Sequence, residues 1–157
     1  AGVVFHVYDL HRLDQIPRRY TVEAGKYLTD QWEGFGVNHL YDLEIFGPNG
    51  FFRKISGQVG AHSCITNVLY HEEQHTLEVK VVNSSKLQVA FDLADNAYGY
   101  TNYPNEQISS GEIKSYKWDL RKSGYWYDFT LKTEHDQLVR LAGRMETGRD
   151  SISDPAM

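Results

Sequence analysis

Lys117-Trp118-Asp119-Leu120-Arg121-Lys122-Ser123-Gly124-Tyr125-Trp126-Tyr127-Asp128-Phe129-Thr130-Leu131 is the stretch on which the fold turns. On its first arm Tyr116, Trp118 and Leu120 alternate with Lys117, Asp119 and Arg121. On its second arm Tyr125, Tyr127, Phe129 and Leu131 alternate with Trp126, Asp128, Thr130 and Lys132. In extended chain, successive side chains point to opposite faces, so each arm is a strand with a distinct apolar face. Ser123-Gly124 between them is turn chemistry, and the two arms are expected to pair as a β-hairpin. A third run follows, Val139, Leu141, Gly143 and Met145, interleaved with Arg140, Ala142, Arg144 and Glu146.

The same alternation marks further strands over 2–8, 20–24, 40–46, 51–57, 65–70, 76–82 and 86–93. Gly47-Pro48-Asn49-Gly50 separates two of them with residues suited to a tight reversal. Residues 96–110 read as a long polar and aromatic connection, residues 32–36 as irregular, and residues 147–157 as an extended tail. No window carries the i, i+3, i+4, i+7 apolar pattern of a helix. The expected fold is all-β, an immunoglobulin-like sandwich with short strands at regular spacing.

Sliding the chain on itself by 86 residues aligns Phe5 with Phe91, Asp9 with Asp95, Gly25 with Gly111 and Trp32 with Trp118. It also aligns Tyr41-Asp42 with Tyr127-Asp128 and Gly57 with Gly143, without a gap. Val3 falls on Val89, and Val22 with Ile108, Leu43 with Phe129 and Ile55 with Leu141 are conservative matches. A period of this length suits a small sandwich unit better than a solenoid repeat. Two repeat-related units are therefore expected, 1–62 and 63–157. The first lacks the counterparts of the strands at 65–70 and 76–82, as expected of a fragment whose upstream sequence lies elsewhere. Trp118, Tyr127, Phe129 and Leu141 are expected in the core or at its edge, with Trp32, Tyr41, Leu43 and Ile55 as their counterparts.

The 157 residues carry a formal charge of −5 and include 11 tyrosines. An acidic balance argues against a nucleic-acid partner and against capture by anionic membranes, while leaving zwitterionic surfaces open. No run reaches the roughly 18 apolar residues of a membrane-spanning helix. No signal-peptide pattern stands at the start. Cys64 is the one cysteine and sits in an apolar run, so no internal disulfide forms and a buried, inert thiol is expected.

His71-Glu72-Glu73-Gln74-His75 spells the zinc-protease pattern, but that pattern needs a helix to bring both imidazoles to one face. Between two strands it reads as a polar hairpin loop. His6, His11, His39, His62 and His135 show no ligand spacing, and no catalytic residue, metal ligand or cofactor is assigned. The repeat-related pairs Asp9 and Asp95, and Asp42 and Asp128, read as structural acceptors near strand ends. Asn83-Ser84-Ser85 matches a glycosylation sequon. Tyr98, Tyr100 and Tyr103 form the candidate lipid-binding set, because aromatics clustered in a loop stack on ligands or settle at membrane interfaces; the alternative is that they cover the edge of the sandwich. Phe51 and Phe52 raise the same possibility more weakly.

Several stretches carry a family resemblance. They are Ile16-Pro17-Arg18-Arg19-Tyr20-Thr21-Val22-Glu23-Ala24-Gly25-Lys26, Tyr41-Asp42-Leu43 with Phe46-Gly47-Pro48-Asn49-Gly50-Phe51, and Gly124-Tyr125-Trp126-Tyr127-Asp128-Phe129. The longest is Leu141-Ala142-Gly143-Arg144-Met145-Glu146-Thr147-Gly148-Arg149-Asp150-Ser151-Ile152-Ser153-Asp154-Pro155-Ala156-Met157. Together they resemble the C-terminal region of bacterial secreted phospholipases C of the phosphatidylcholine-hydrolysing, alkaline-phosphatase-related class. The resemblance implies a domain present in tandem copies behind a catalytic domain of the same polypeptide, and a secreted or periplasmic location. It implies no catalytic residue in this stretch. Two roles are expected: engaging a phosphatidylcholine-type membrane or substrate surface, or packing on the catalytic domain or a secretion chaperone. Arg149, Asp150, Ser151, Asp154 and Pro155 form the candidate docking tail.

Overall fold

The computed structural model describes residues 2–33, 38–60, 64–148 and 150–157. Eleven strands make up the described secondary structure beside two short 3-10 turns. They are β1 (Gly2–Asp9), β2 (Arg18–Glu23), β3 (Leu40–Phe46), β4 (Phe52–Gln58), β5 (Cys64–His71), β6 (Thr76–Asn83), β7 (Val89–Asp95), β8 (Tyr103–Ile108), β9 (Ile113–Asp119), β10 (Trp126–Thr133) and β11 (Leu138–Arg144). They form two antiparallel sheets packed as a sandwich. The large sheet runs β2-β1-β3-β4-β11-β10-β7-β8, and the small one β5-β6-β9. The all-β expectation and most strand positions agree with this arrangement.

The expected hairpin over 117–131 does not form. β9 pairs with β6 in the small sheet, whereas β10 pairs with β7 and β11 in the large one. A 3-10 turn, Leu120–Ser123, carries the chain across the sandwich with Leu120 and Ser123 buried. Asp119 caps it by accepting from the Arg121 amide, and Gly124 ends it at φ 64°, a left-handed conformation that glycine adopts without strain. The physical reason is the core. Trp118 and Phe129 face one another from opposite sheets with ring centroids 4.0 Å apart, so the two arms bury their aromatics against each other between the sheets.

The connection expected over 96–110 contains a strand, β8. Pro104 and the polar Asn105, Glu106 and Gln107 hide it, and they are tolerated because β8 is an edge strand with only β7 beside it. The repeat carried the missing signal: Val22 of β2 aligns with Ile108 of β8 at the same offset.

That offset of 86 relates β1 to β7, β2 to β8, β3 to β10 and β4 to β11. Pairing register follows it. Val7 opposes Ile45 as Leu93 opposes Leu131, and Leu43 opposes Ile55 as Phe129 opposes Leu141. Where β4 meets β11, Lys54 opposes its own counterpart Arg140, while Phe52 opposes Ala142 and Ser56 opposes Leu138. The large sheet is thus palindromic about this pair, the self-complementary arrangement of a two-fold contact. The ion pairs repeat as well: Lys54 lies 3.1 Å from Asp42, and Arg140 2.6 Å from Asp128.

Leu77, Val79 and Val81 of β6 fill the core against Val89, Phe91, Leu93, Phe129 and Leu131, all buried. Trp118, Tyr127 and Leu141 are buried as expected. Of their counterparts Leu43 is buried, while Trp32, Tyr41 and Ile55 are half-buried. Cys64 is buried, and its backbone N–H and carbonyl are both bonded by the Gln137 amide at 2.8 Å. Burial pushes the thiol up to about 11. At pH 8 the native chain is expected to react with a thiol reagent at least about 100-fold more slowly than the unfolded chain, because the thiolate is the nucleophile. Labelling along a denaturant titration checks this; native reactivity equal to unfolded reactivity would contradict the packing.

Candidate functional site: an aromatic cleft beneath the C-terminal tail

The loop and the tail singled out in the sequence meet in one place. Asp95 ends β7, and one of its carboxylate oxygens accepts from the backbone N–H of Tyr98 at 2.9 Å and of Tyr100 at 3.0 Å. This folds the loop back over the sandwich. The Tyr98 hydroxyl then donates to Asp154 of the tail at 2.8 Å. Burial first, and then the Asp154 hydrogen bond, push that hydroxyl above the ordinary tyrosine range. The tail is held at a second point by Trp126, whose indole N–H donates to the Ile152 carbonyl at 3.1 Å. Ile152 also packs over Gly124, where a Cβ would meet its side chain. Asp150, Ser151 and Pro155 are exposed, and Arg149 lies outside the described residues.

Tyr98, Tyr100 and Tyr103 do not form an exposed aromatic surface. Tyr100 is buried, its hydroxyl bonded to Ser123 at 2.8 Å and its ring 5.9 Å from Phe129. Tyr103 packs 4.6 Å from Tyr116 and 6.0 Å from Trp118. Only Tyr98 reaches a cleft, a cavity of about 430 Å³ on the outer face of the large sheet. Phe46, Phe52 and Trp126 line it with Tyr98, and Asp128, Arg140 and Asp154 supply its charges. Arg140 lies 5.5 Å from the Phe52 ring and forms a two-point ion pair with Asp128, so this guanidinium and carboxylate neutralise one another. Asp154 has no cationic partner within ion-pair distance among the described residues.

The cleft continues into a row of aromatics that composition alone did not reveal. Tyr8 of β1, Phe46 of β3 and Phe52 of β4 lie side by side, with centroids 5.7 and 5.1 Å apart. Phe46 is 42% exposed and Tyr8 36%. Sequence reasoning noted Phe52 and missed Tyr8 and Phe46, because neighbouring positions on one sheet face are distant in sequence. The 40–46 alternation held the signal for Phe46: it falls on the face opposite Leu43 and Ile45.

The other candidates resolve into structural contacts. His71 bonds Glu78 at 2.7 Å, while His75 faces Tyr125 at 3.2 Å, so the two imidazoles of the zinc-like pattern serve different partners. Their hairpin loop contains a short 3-10 turn, Glu72–Gln74. No group of side chains suited to a metal ion occurs among the described residues, and His62 is outside them. Asp9 accepts from the His11 amide at 3.0 Å and pairs with Arg12, as Asp95 holds the corresponding loop after β7. Asn83 of the sequon is fully buried, its amide nitrogen donating to the carbonyls of Leu87 and Ile108. Folding therefore withdraws that nitrogen from modification.

Two packed antiparallel sheets with an aromatic outer cleft define the class, an all-β sandwich module. The model of the family described as bacterial phospholipase C, C-terminal domain, matches residues 1–58 and 65–144, and the chain belongs to that family. The chain is 34% identical over 166 residues to a non-hemolytic phospholipase C of Pseudomonas aeruginosa, covering 100% of this chain and 24% of that protein. It is 36% identical over 161 residues to a non-hemolytic phospholipase C of Burkholderia pseudomallei, covering 99% and 23%. With a hemolytic phospholipase C of Pseudomonas aeruginosa the identity is 31% over 160 residues, covering 90% and 22%. The chain thus spans about a quarter of the length of the curated relatives it matches.

Proposed function

We propose that this chain is a non-catalytic accessory region of a bacterial phospholipase C that helps the enzyme engage a membrane or substrate aggregate. The aromatic row Tyr8, Phe46 and Phe52, running into the cleft under the tail, carries the reading. Half-exposed rings on a rigid sheet settle at a headgroup boundary with little conformational cost. The charge of −5 favours a zwitterionic surface over an anionic one. In this reading the hydrolytic chemistry belongs to a catalytic domain of the same polypeptide, exported to the periplasm or beyond. The chain acts as two repeat-related units, 1–62 and 63–157. The strand order β5-β6-β9 against β11-β10-β7-β8 supports an immunoglobulin-like second unit.

A double variant, Tyr8→Ser with Phe46→Ser, is expected to abolish co-sedimentation with phosphatidylcholine vesicles while leaving the thermal midpoint within a few degrees, because both rings are half-exposed. Unchanged binding would remove the row from the account, and a wild-type chain that does not sediment would refute engagement itself. A second reading, a packing module for the catalytic domain or a chaperone, is favoured by the exposed Asp150, Ser151 and Pro155 on a tail whose inner contacts are already made. Deleting 150–157 in the parent enzyme and measuring yield tests it.

A further inference from the structure

We infer that the cleft beneath the C-terminal tail binds a fully alkylated ammonium ion, held by the ring faces of Tyr98, Trp126 and Phe46 and by the carboxylate of Asp154. The site lies on the outer face of the large sheet. Where a lipid carries such a cation, this rests on the surface engagement proposed above; a soluble cation needs no such surface.

Rings reach the cleft from separate parts of the chain: Phe46 from β3, Phe52 from β4, Tyr98 from the loop after β7 and Trp126 from β10. Phe46 and Phe52 meet with their planes 58° apart, which makes a corner and not a flat stack. Trp126 lies directly against Gly50, where a Cβ would stand 2.7 Å from the ring. That wall therefore depends on a position without a side chain. The Tyr98 hydroxyl and the Trp126 indole N–H are both engaged by the tail. What these two residues offer the cleft is ring surface, and the face of an aromatic ring carries the negative side of its quadrupole.

The charges favour the same kind of guest. Asp128 and Arg140 cancel in their two-point ion pair, and Arg140 already stands over Phe52. Among the described residues no other basic side chain lines the cleft, and Asp154 has no cationic partner. Asp154 is also the one residue of 150–157 that is half-buried, the rest being exposed. The tail thus brings one carboxylate without a counterion to a set of ring faces.

Hydrogen-bonding capacity selects among cations. Oδ1 of Asp154 already accepts from the Tyr98 hydroxyl at 2.8 Å and from the Ala156 N–H at 2.9 Å, which leaves Oδ2. Both oxygens of Asp128 are occupied by Arg140, and one of them also by Asn96. A guanidinium asks for two parallel acceptors and a primary ammonium for three, and ring faces do not replace them. A cation without N–H groups leaves no donor unsatisfied and sheds its loosely held water readily into an aromatic corner. At about 430 Å³ the cleft has the size of a small-ligand site.

The test titrates the 157-residue chain with tetramethylammonium chloride at constant ionic strength and follows the Trp126 indole and Asp154 amide signals by nuclear magnetic resonance. A saturable shift is expected, with none from ammonium chloride or the neutral tert-butanol. Asp154→Asn keeps an acceptor for Tyr98 and is expected to weaken binding about tenfold. Phe46→Leu keeps an apolar group without the ring and is expected to weaken it about threefold. Unsaturable shifts that are equal for ammonium and tetramethylammonium overturn the inference. Equal binding of tert-butanol overturns it in favour of a plain apolar cleft, and tighter binding of methylguanidinium in favour of an arginine-bearing protein partner. Should Asp154→Asn release the tail, Phe46→Leu decides alone, and unchanged affinity there refutes the site. Vesicles separate the sources of the cation. Sedimentation with phosphatidylcholine but not phosphatidylethanolamine, competed by tetramethylammonium, supports a lipid-borne cation. A saturable titration with no sedimentation on either vesicle supports a soluble one and refutes surface engagement alone. Sedimentation on both vesicles without any response to tetramethylammonium overturns the cation site and leaves surface engagement standing.

Discussion

The triple variant Tyr98→Ser, Tyr100→Ser, Tyr103→Ser is expected to lose most or all of the stability of the chain, not merely a surface. Tyr100 is buried between Phe129, Ser123 and the Lys122 ammonium, which lies 4.1 Å over its ring. Tyr103 closes the aromatic cluster of Tyr116 and Trp118, and Tyr98 anchors Asp154. Truncating one buried large aromatic costs about 3–5 kcal/mol, and the two half-buried rings cost less each. The three together approach the 5–15 kcal/mol that a typical domain has in total. Thermal unfolding followed by near-ultraviolet circular dichroism checks this. A melting midpoint within a few degrees of wild type would show that the rings do not close the end of the sandwich. If the variant unfolds as expected, its loss of vesicle binding carries no information about a lipid surface. The Tyr8 and Phe46 variant is then the one that reports on engagement.

Phe129→Ala is expected to cost about 3–5 kcal/mol, with a fall in melting midpoint of about 10 °C or more. Phe129 is fully buried and stacks on Trp118 across the sandwich, so its removal leaves a cavity bounded by both sheets. Its ring also supports Tyr100, which transmits the loss to the loop carrying Tyr98. The neighbouring Thr130 points to the outer face, and Thr130→Ala is the control, expected within about 1 kcal/mol. Equal losses for Phe129→Ala and Thr130→Ala would mean that the inner and outer faces of β10 are wrongly placed.

The two predictions mark where sequence reading reached and where it stopped. Alternation around Trp118 and Phe129 identified two strands correctly and then paired them with each other. Period-two patterning states which face of a strand is apolar, not which strand lies beside it. Both arms send their aromatics into one core, and two sheets facing each other satisfy that as well as one hairpin does. β8 was hidden for the opposite reason. Its polar residues are acceptable at an edge, and edge position is a property of the assembled sheet.

The candidate site was legible in pieces. The loop with Tyr98 and the tail with Asp154 were both singled out, and their hydrogen bond joins positions 56 apart in the chain. Tyr8, Phe46 and Phe52 come from three strands, and no local pattern announces that their rings touch.

The all-β class, most strand positions, the buried thiol and an offset of 86 residues that strand bounds and register follow were legible in the sequence alone. These are local or periodic properties, written into each segment by its own alternation of side chains. The parting of β9 and β10, the junction of β4 with β11 that sets Lys54 opposite Arg140, and the inward packing of Tyr100 and Tyr103 emerge in the assembled fold. Those outcomes depend on which apolar faces find each other. That is settled by burial across the whole chain, because the hydrophobic effect rewards removal of area from water without regard to distance in sequence.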